Sequence, residues 1–436
     1  MNRRVVVLLL PVLAACAPVV ATPADDNSSE GGTSGVSSLS MTSADPLTSA
    51  GGSQVDGDPP PDDDDDDDGS TTESMPPPCS DAPPPALTVH TLDGIGNRAG
   101  DVNIVDVDGD AHAELLITDP DLGAVWMFDG AAPLDGATPT VIPANGPAQA
   151  LASGDLDGDG AIDLAIAHAD GRVEAQLGDG AGAFVSQPGV EVTHELYDIE
   201  LGDLDGDGVL DVVVLGHSDA EGRVWWLRGL GDAALAPAEI LAPGDWPRAY
   251  SHGLAVIADA SRPNAAAVVA QLFDNDQLWI AVLRPGVAAQ IVAEIPYSAT
   301  DVRVGRFDGD ATDDIVALGT ESSEIWRWVA LADNEYDAMT TSTGGRGIGV
   351  MMAVGDLDGV GATDLVVGYG LEPPLERVLS SCDGELVREQ LDVELMSGNL
   401  HAIATGDLDS DDIDDIVVLD GGFGEQHVTV LLTAER

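Results

Sequence analysis

The sequence predicts an all-β fold, a seven-bladed β-propeller built from four-stranded antiparallel blades. Three observations predict it. One acidic motif recurs seven times along the chain. Each copy sits between short apolar runs separated by glycine-rich turns. The last repeat ends one strand early, and a spare strand-like run precedes the first. A repeat of about fifty residues marks a propeller or a solenoid, and an exchange of strands between the chain ends favours the propeller.

The N-terminus reads as an export signal over residues 1–15. Arg3 and Arg4 supply positive charge, and Val5 to Leu13 forms an apolar run too short to span a bilayer. Leu13-Ala14-Ala15-Cys16 follows. It resembles a bacterial lipoprotein lipobox, which implies cleavage before Cys16 and lipidation of that residue. Residues 16–85 are rich in Ser, Thr, Gly, Pro and Asp, with an unbroken aspartate run from Asp62 to Asp68. Such a segment has too few large apolar side chains to form a core, and like charges and prolines stretch it. It reads as a disordered acidic tether, with the propeller over residues 86–436. The expected location is the bacterial cell envelope, at the outer membrane or cell surface.

The charge excludes some partners. Asp and Glu number 78 against 16 Lys and Arg, giving a net charge of -62 over 436 residues. Phosphate backbones and anionic membrane surfaces are repelled, so no nucleic acid is expected and the membrane is reached only through the lipid.

The repeat begins after residue 87. Its clearest copies are Asp155-Leu-Asp157-Gly-Asp159-Gly-Ala-Ile-Asp163-Leu164 and Asp203-Leu-Asp205-Gly-Asp207-Gly-Val-Leu-Asp211-Val212. Unit 7 follows with Asp407, Asp409, Asp411 and Asp415, and unit 1 with Asp106, Asp108, Asp110 and Glu114. Unit 6 keeps Asp356, Asp358 and Asp364 but has Val360 at position 5. Unit 5 keeps Asp308, Asp310 and Asp314 but has Arg306 at position 1. An eroded unit 4 begins at Asp259. The first positions fall at 106, 155, 203, 259, 306, 356 and 407, so the steps are 49, 48, 56, 47, 50 and 51. In each unit one apolar run enters the acidic loop and a second leaves it, as in Leu164-Ala165-Ile166-Ala167. A third and a weaker fourth run follow, making four strands. The run Leu87 to Leu92 can then complete the last blade and remove an open edge.

Acids at positions 1, 3, 5 and 9, with glycine at 4 and often at 6, put carboxylates on one side of a tight loop. Calcium takes six to eight oxygen ligands, whereas magnesium needs a tighter octahedron and zinc prefers His or Cys. About four calcium ions are expected, in units 1, 2, 3 and 7, and about six if units 5 and 6 also load. Unit 4 is expected to bind none. In unit 5 the Arg306 guanidinium is the expected substitute for the cation.

These residues resemble the FG-GAP/VCBS repeat family, propellers related to the head of integrin alpha subunits. The resemblance covers roughly residues 87–436. It implies a seven-bladed propeller with calcium held by the acids of units 2 and 3, and with less support by those of units 1 and 7. Family members mostly serve adhesion or binding, although related repeats occur in polysaccharide lyases.

No hydrolase elbow, zinc-protease helix or phosphate loop occurs in the sequence, and no enzyme activity is expected. The leading expectation is a binding or adhesion module for an unidentified protein or glycan. The alternative is a calcium-dependent lectin or lyase acting on polysaccharide. Trp126, Trp225, Trp226, Trp279, Trp326 and Trp328 recur in third strands, a register that favours packing between blades over sugar stacking. Trp246 and Tyr250, in the longer connection before unit 4, form the candidate ligand patch. Cys79 and Cys382 are either a disulfide pinning the tether or two separate thiols.

Overall fold

The computed structural model describes residues 85–434 except 93–94, 96–98, 133, 135, 193–194, 218–221, 242–247, 250–252, 259–264, 275–276, 311, 321–323, 332–334, 338–339, 343–348, 371–374, 382–384, 396–399 and 423–424. The export signal, nearly all of the tether, Cys16, Cys79, Cys382, Trp246, Tyr250 and the loop starting at Asp259 lie outside the described residues.

The described residues form strands and turns with no helix. Strand β1 (Leu87–Leu92) stands apart in sequence from the blade it joins. Blade 1 is β2 (Val102–Val105), β3 (Glu114–Asp119), β4 (Ala124–Phe128) and β5 (Thr140–Pro143). Blade 2 is β6 (Ala148–Gly154), β7 (Asp163–His168) and β8 (Arg172–Gly178), with an outer strand split into β9 (Phe184–Ser186) and β10 (Val190–Glu191). Blade 3 is β11 (Glu195–Gly202), β12 (Asp211–His217), β13 (Gly222–Leu227) and β14 (Glu239–Ile240). Blade 4 has a split inner strand, β15 (Arg248–Ala249) and β16 (Ala255–Ala258), then β17 (Ala266–Asp274), β18 (Gln277–Leu283) and β19 (Gln290–Ile295). Blade 5 is β20 (Ala299–Gly305), β21 (Asp314–Gly319), β22 (Ile325–Trp328) and β23 (Thr340–Ser342). Blade 6 is β24 (Gly349–Gly355), β25 (Asp364–Tyr369), β26 (Leu375–Ser380) and β27 (Leu386–Gln390). Blade 7 is β28 (Leu400–Gly406), β29 (Asp415–Gly422) and β30 (Glu425–Thr433), completed by β1.

The ring closes as the sequence predicts. Strand β1 runs antiparallel to β30, from Leu87 opposite Thr433 to Leu92 opposite Val428. Inner strands neighbour one another in a cycle from β2 through β6, β11, β16, β20, β24 and β28 back to β2.

The core is a set of seams rather than one centre. Seven buried apolar clusters each join two adjacent blades. Second strands are buried on both faces, which explains their unbroken apolar runs. In β3, Leu115 and Ile117 face the seam with blade 7, and Leu116 faces the seam with blade 2. Alternating side chains of one strand thus feed two cores. Trp126, Trp225, Trp226, Trp326 and Trp328 pack in these seams, in keeping with the packing reading of the third-strand tryptophans.

Candidate metal centres

Each acidic loop hangs between the first and second strands of its blade. Its position-1 residue, an aspartate except for Arg306 in unit 5, follows the first strand, and its position-9 acid opens the second. Asp163, Asp211, Asp314, Asp364 and Asp415 each pair with the glycine that closes the preceding strand, and Glu114 pairs with Val105. Position 2 anchors the loop. Val107, Leu156, Leu204, Phe307, Leu357 and Leu408 are all buried in the seam that joins their own blade to the next. The alternation of acid and apolar residue at the start of the motif therefore pins the loop while leaving its carboxylates on the open side.

Backbone N–H groups shape the carboxylates. In unit 2, Gly158 N–H donates to Asp155 Oδ1 at 2.7 Å and Gly160 N–H donates to Oδ2 at 3.1 Å. Unit 3 repeats this with Gly206 and Gly208 on Asp203, at 2.7 and 2.8 Å. These turns need left-handed backbone, with φ of 82° at Gly158 and 90° at Gly160. Glycine adopts it freely. Unit 1 places Ala111 there, and unit 7 places Ser410 and Asp412, at φ of 70°, 64° and 65°. Those two loops carry strain that units 2 and 3 avoid.

The position-9 acid is a staple. Asp163 Oδ2 accepts Leu156 N–H and Oδ1 accepts Gly178 N–H, both at 2.8 Å, tying the loop to the end of the third strand. Asp211, Asp364 and Asp415 make the same pair of bonds. In unit 5, Asp314 keeps the bond from Ala330, but its buried Oδ2 has no hydrogen-bond partner.

Five loops bring three carboxylates together. One oxygen from each member of Asp106, Asp108 and Glu114 lies within 4.8 Å of the others. The same holds for Asp155, Asp157 and Asp163, for Asp203, Asp205 and Asp211, for Asp356, Asp358 and Asp364, and for Asp407, Asp409 and Asp415. Burial, reinforced by the neighbouring loop carboxylates, pushes the position-9 acids up, Asp364 to about 8 and Asp415 to about 7. Glu114, Asp163 and Asp211 are raised for the same reasons. Crowded carboxylates of this kind are relieved by a dication.

Units 5 and 6 and position 5 add detail to the sequence expectation. The gathered sets are made by positions 1, 3 and 9. Asp110, Asp159, Asp207 and Asp411 each accept the N–H two residues on through Oδ1, at 2.9, 2.8, 3.0 and 3.0 Å. Unit 6, ranked lower for Val360, gathers the same three carboxylates as units 1, 2, 3 and 7. Unit 5 gathers none among the described residues. Burial likewise raises Asp314, to about 7. Arg306 does not fill the gap left by a cation there. Its Nε lies 3.6 Å from Asp313 Oδ1, beside Asp314 rather than among the loop acids.

The family profile for the FG-GAP-like repeat matches residues 106–166 and 155–214, which span the loops of units 1 to 3. The chain carries FG-GAP-like repeats over residues 106–214, within a seven-bladed β-propeller. No curated protein sequence matches it. Among solved structures, this propeller is similar to the one described as BBS1N in complex with ARL6DN, soaked with lead, with a TM-score of 0.50 and 13% identity over 79% of this chain and 98% of that one. The mercury-soaked counterpart gives 0.49 and 13%, over 78% and 97%. At that identity the likeness is one of fold.

Proposed function

We propose that this propeller is a calcium-stabilised binding module with no reaction of its own. In this reading Cys16 carries the lipid that holds it at the bacterial cell envelope, the acidic tether extends it from the surface, and the ring receives a protein or glycan. The observation that carries the reading is the fivefold recurrence of three carboxylate oxygens gathered within 4.8 Å.

That spacing suits the ion. Calcium–oxygen bonds of about 2.3–2.6 Å let two opposed ligands stand up to about 4.6–5.2 Å apart, so oxygens gathered within 4.8 Å can share one ion. The donors are all hard oxygens, and no thiolate or imidazole belongs to the gathered sets. The residues that would hold calcium are the five triads. Once bound, the ion supplies positive charge that offsets the carboxylate repulsion. The chain's own residues do the rest: position 1 folds the turn, position 2 plugs the seam, and position 9 ties the loop to the blade.

Thermal unfolding of the full chain in excess calcium, after exhaustive chelation, and in magnesium tests this. Each loaded site adds about 2.7 kcal/mol at a hundredfold excess over its Kd. A calcium-specific rise with several ions bound supports the reading, and an unchanged melting temperature removes the metal from it. Release of unsaturated sugar products absorbing in the ultraviolet would overturn the absence of a reaction.

A further inference from the structure

The acidic loops of neighbouring blades meet through position 8, the residue before the position-9 acid. In units 3, 6 and 7 its side chain bears on the glycine that closes the preceding blade's first strand. In unit 3 this residue is Leu210, and its Cδ1 lies 2.8 Å from where a Cβ on Gly154 would stand. An alkyl chain fills that space but holds no backbone group. Among the described residues no backbone bond joins Leu210 to Asp155, the position-1 acid of unit 2.

Unit 7 places Asp414 at the same point. A Cβ on Gly355 would meet its Oδ2, so the glycine is what lets the carboxylate come close. Oδ2 accepts the Asp356 N–H at 2.8 Å, and the Asp414 N–H donates to the Asp356 carbonyl oxygen, also at 2.8 Å. Asp414 thus brackets both backbone groups of Asp356 across the seam between blades 6 and 7. Asp356 is the position-1 acid of unit 6, and its carboxylate accepts the Gly359 and Gly361 N–H groups at 2.7 and 2.8 Å. Asp414 is bonded in the chain to Asp415, the position-9 acid of unit 7. One member of each gathered set therefore hangs from the same bracket. Thr363 of unit 6 makes the corresponding pair with Arg306: its N–H donates to the Arg306 carbonyl oxygen at 3.1 Å and its Oγ1 accepts the Arg306 N–H at 2.9 Å. Unit 5 gathers no carboxylate set among the described residues, so that bracket does not join two candidate centres.

We propose that calcium binding at units 6 and 7 is positively coupled through Asp414, a positioning residue common to both centres, whereas units 2 and 3 load independently. This rests on the calcium reading of the loops. An ion in either loop restrains the backbone that carries its ligands. The bracket passes that restraint across the seam, so the second ion meets ligands that are already ordered and costs less conformational freedom. Repulsion between the two dications acts the other way, and screening weakens it at physiological ionic strength. The negative charge of Asp414, set between the two loops, offsets it further. Such coupling is reciprocal: filling unit 7 changes the affinity of unit 6 by the factor with which filling unit 6 changes that of unit 7.

The test is hydrogen exchange of the full chain at stepped free calcium and physiological salt, read loop by loop by mass spectrometry. Asp407→Ala removes a ligand of unit 7 and leaves Asp414 in place. The calcium midpoint at which the unit 6 loop becomes protected should then rise about five- to tenfold. Asp356→Ala should move the unit 7 loop by the same factor, while Asp155→Ala leaves the unit 3 loop where it was. With Asp414→Leu, which installs the residue type that unit 3 carries there, Asp407→Ala should no longer move unit 6. Where Asp407→Ala does not fold, Asp409→Asn weakens the same centre with less disturbance and carries the same expectation. A unit 6 midpoint that ignores the loss of unit 7 overturns the coupling and leaves the calcium reading standing. If no loop gains protection in calcium, the calcium reading falls and the coupling with it.

Discussion

Replacing Leu92 by alanine tests ring closure at a single side chain. Leu92 lies at the end of β1, opposite Val428, and is 2% exposed. It packs with Val102, Leu115 and Phe128 of blade 1 and with Val417, Val428 and Val430 of blade 7. A strand more than three hundred residues away in sequence thus supplies core to the seam between the first and last blades. Leu-to-Ala changes at buried sites cost about 2–5 kcal/mol. An unfolding entropy of about 2.1 cal/mol/K per residue, over a ring of about 350 residues, converts that to about 3–7 °C in melting temperature. Val89 of the same strand is 51% exposed, so Val89→Ala should move it by less than about 1 °C. Circular dichroism reports the whole ring. Tryptophan fluorescence adds a local probe, because Trp126 packs against the same cluster. Equal, negligible shifts for the two variants would show that β1 does not close the ring, and β30 would then be an open edge prone to association.

Further outcomes follow from the loops. Asp155→Ala and Asp356→Ala should each lower the calcium bound per chain by one ion in native mass spectrometry, while Asp308→Ala should leave it unchanged. Gly178→Ala should cost about 1–3 kcal/mol in denaturant unfolding and weaken unit 2 for calcium, because a Cβ there would meet the Ile162 carbonyl oxygen at 2.1 Å while Gly178 N–H holds Asp163. Without metal, the loops should make the propeller less stable as pH rises. Asp364 and Asp415 bind protons more tightly folded than unfolded, so stability falls from the ordinary value of 3.8 up to about 8 and about 7 respectively. Saturating calcium should flatten that slope, and a metal-free protein that gains stability over the same range would contradict the burial of these acids.

Much of the site was legible because the loop is local. Nine residues carry their own turn, so the acids at positions 1, 3 and 9, the glycines and the apolar position 2 could be read directly. Position 5 was legible as an acid, but its hydrogen bond from the N–H of position 7 was not, because that depends on the turn geometry. Unit 6 gathers positions 1, 3 and 9 although Val360 replaces that acid. Arg306 was legible as a cation but not as a partner of Asp313, since a long side chain chooses among neighbours that folding brings together.

The sequence by itself determined the blade count, the strand order and the strand that closes the ring. Each is a matter of periodicity, and periodicity is written in the chain. Tertiary structure alone decided what lies between repeats. Which face of β3 meets blade 7 and which meets blade 2, and which backbone groups Asp414 holds in the preceding blade, depend on segments far apart in the chain. No local pattern records such pairings. The link between units 6 and 7 went unnoticed for that reason: Asp414 is an ordinary loop acid until folding sets it against Asp356 of blade 6.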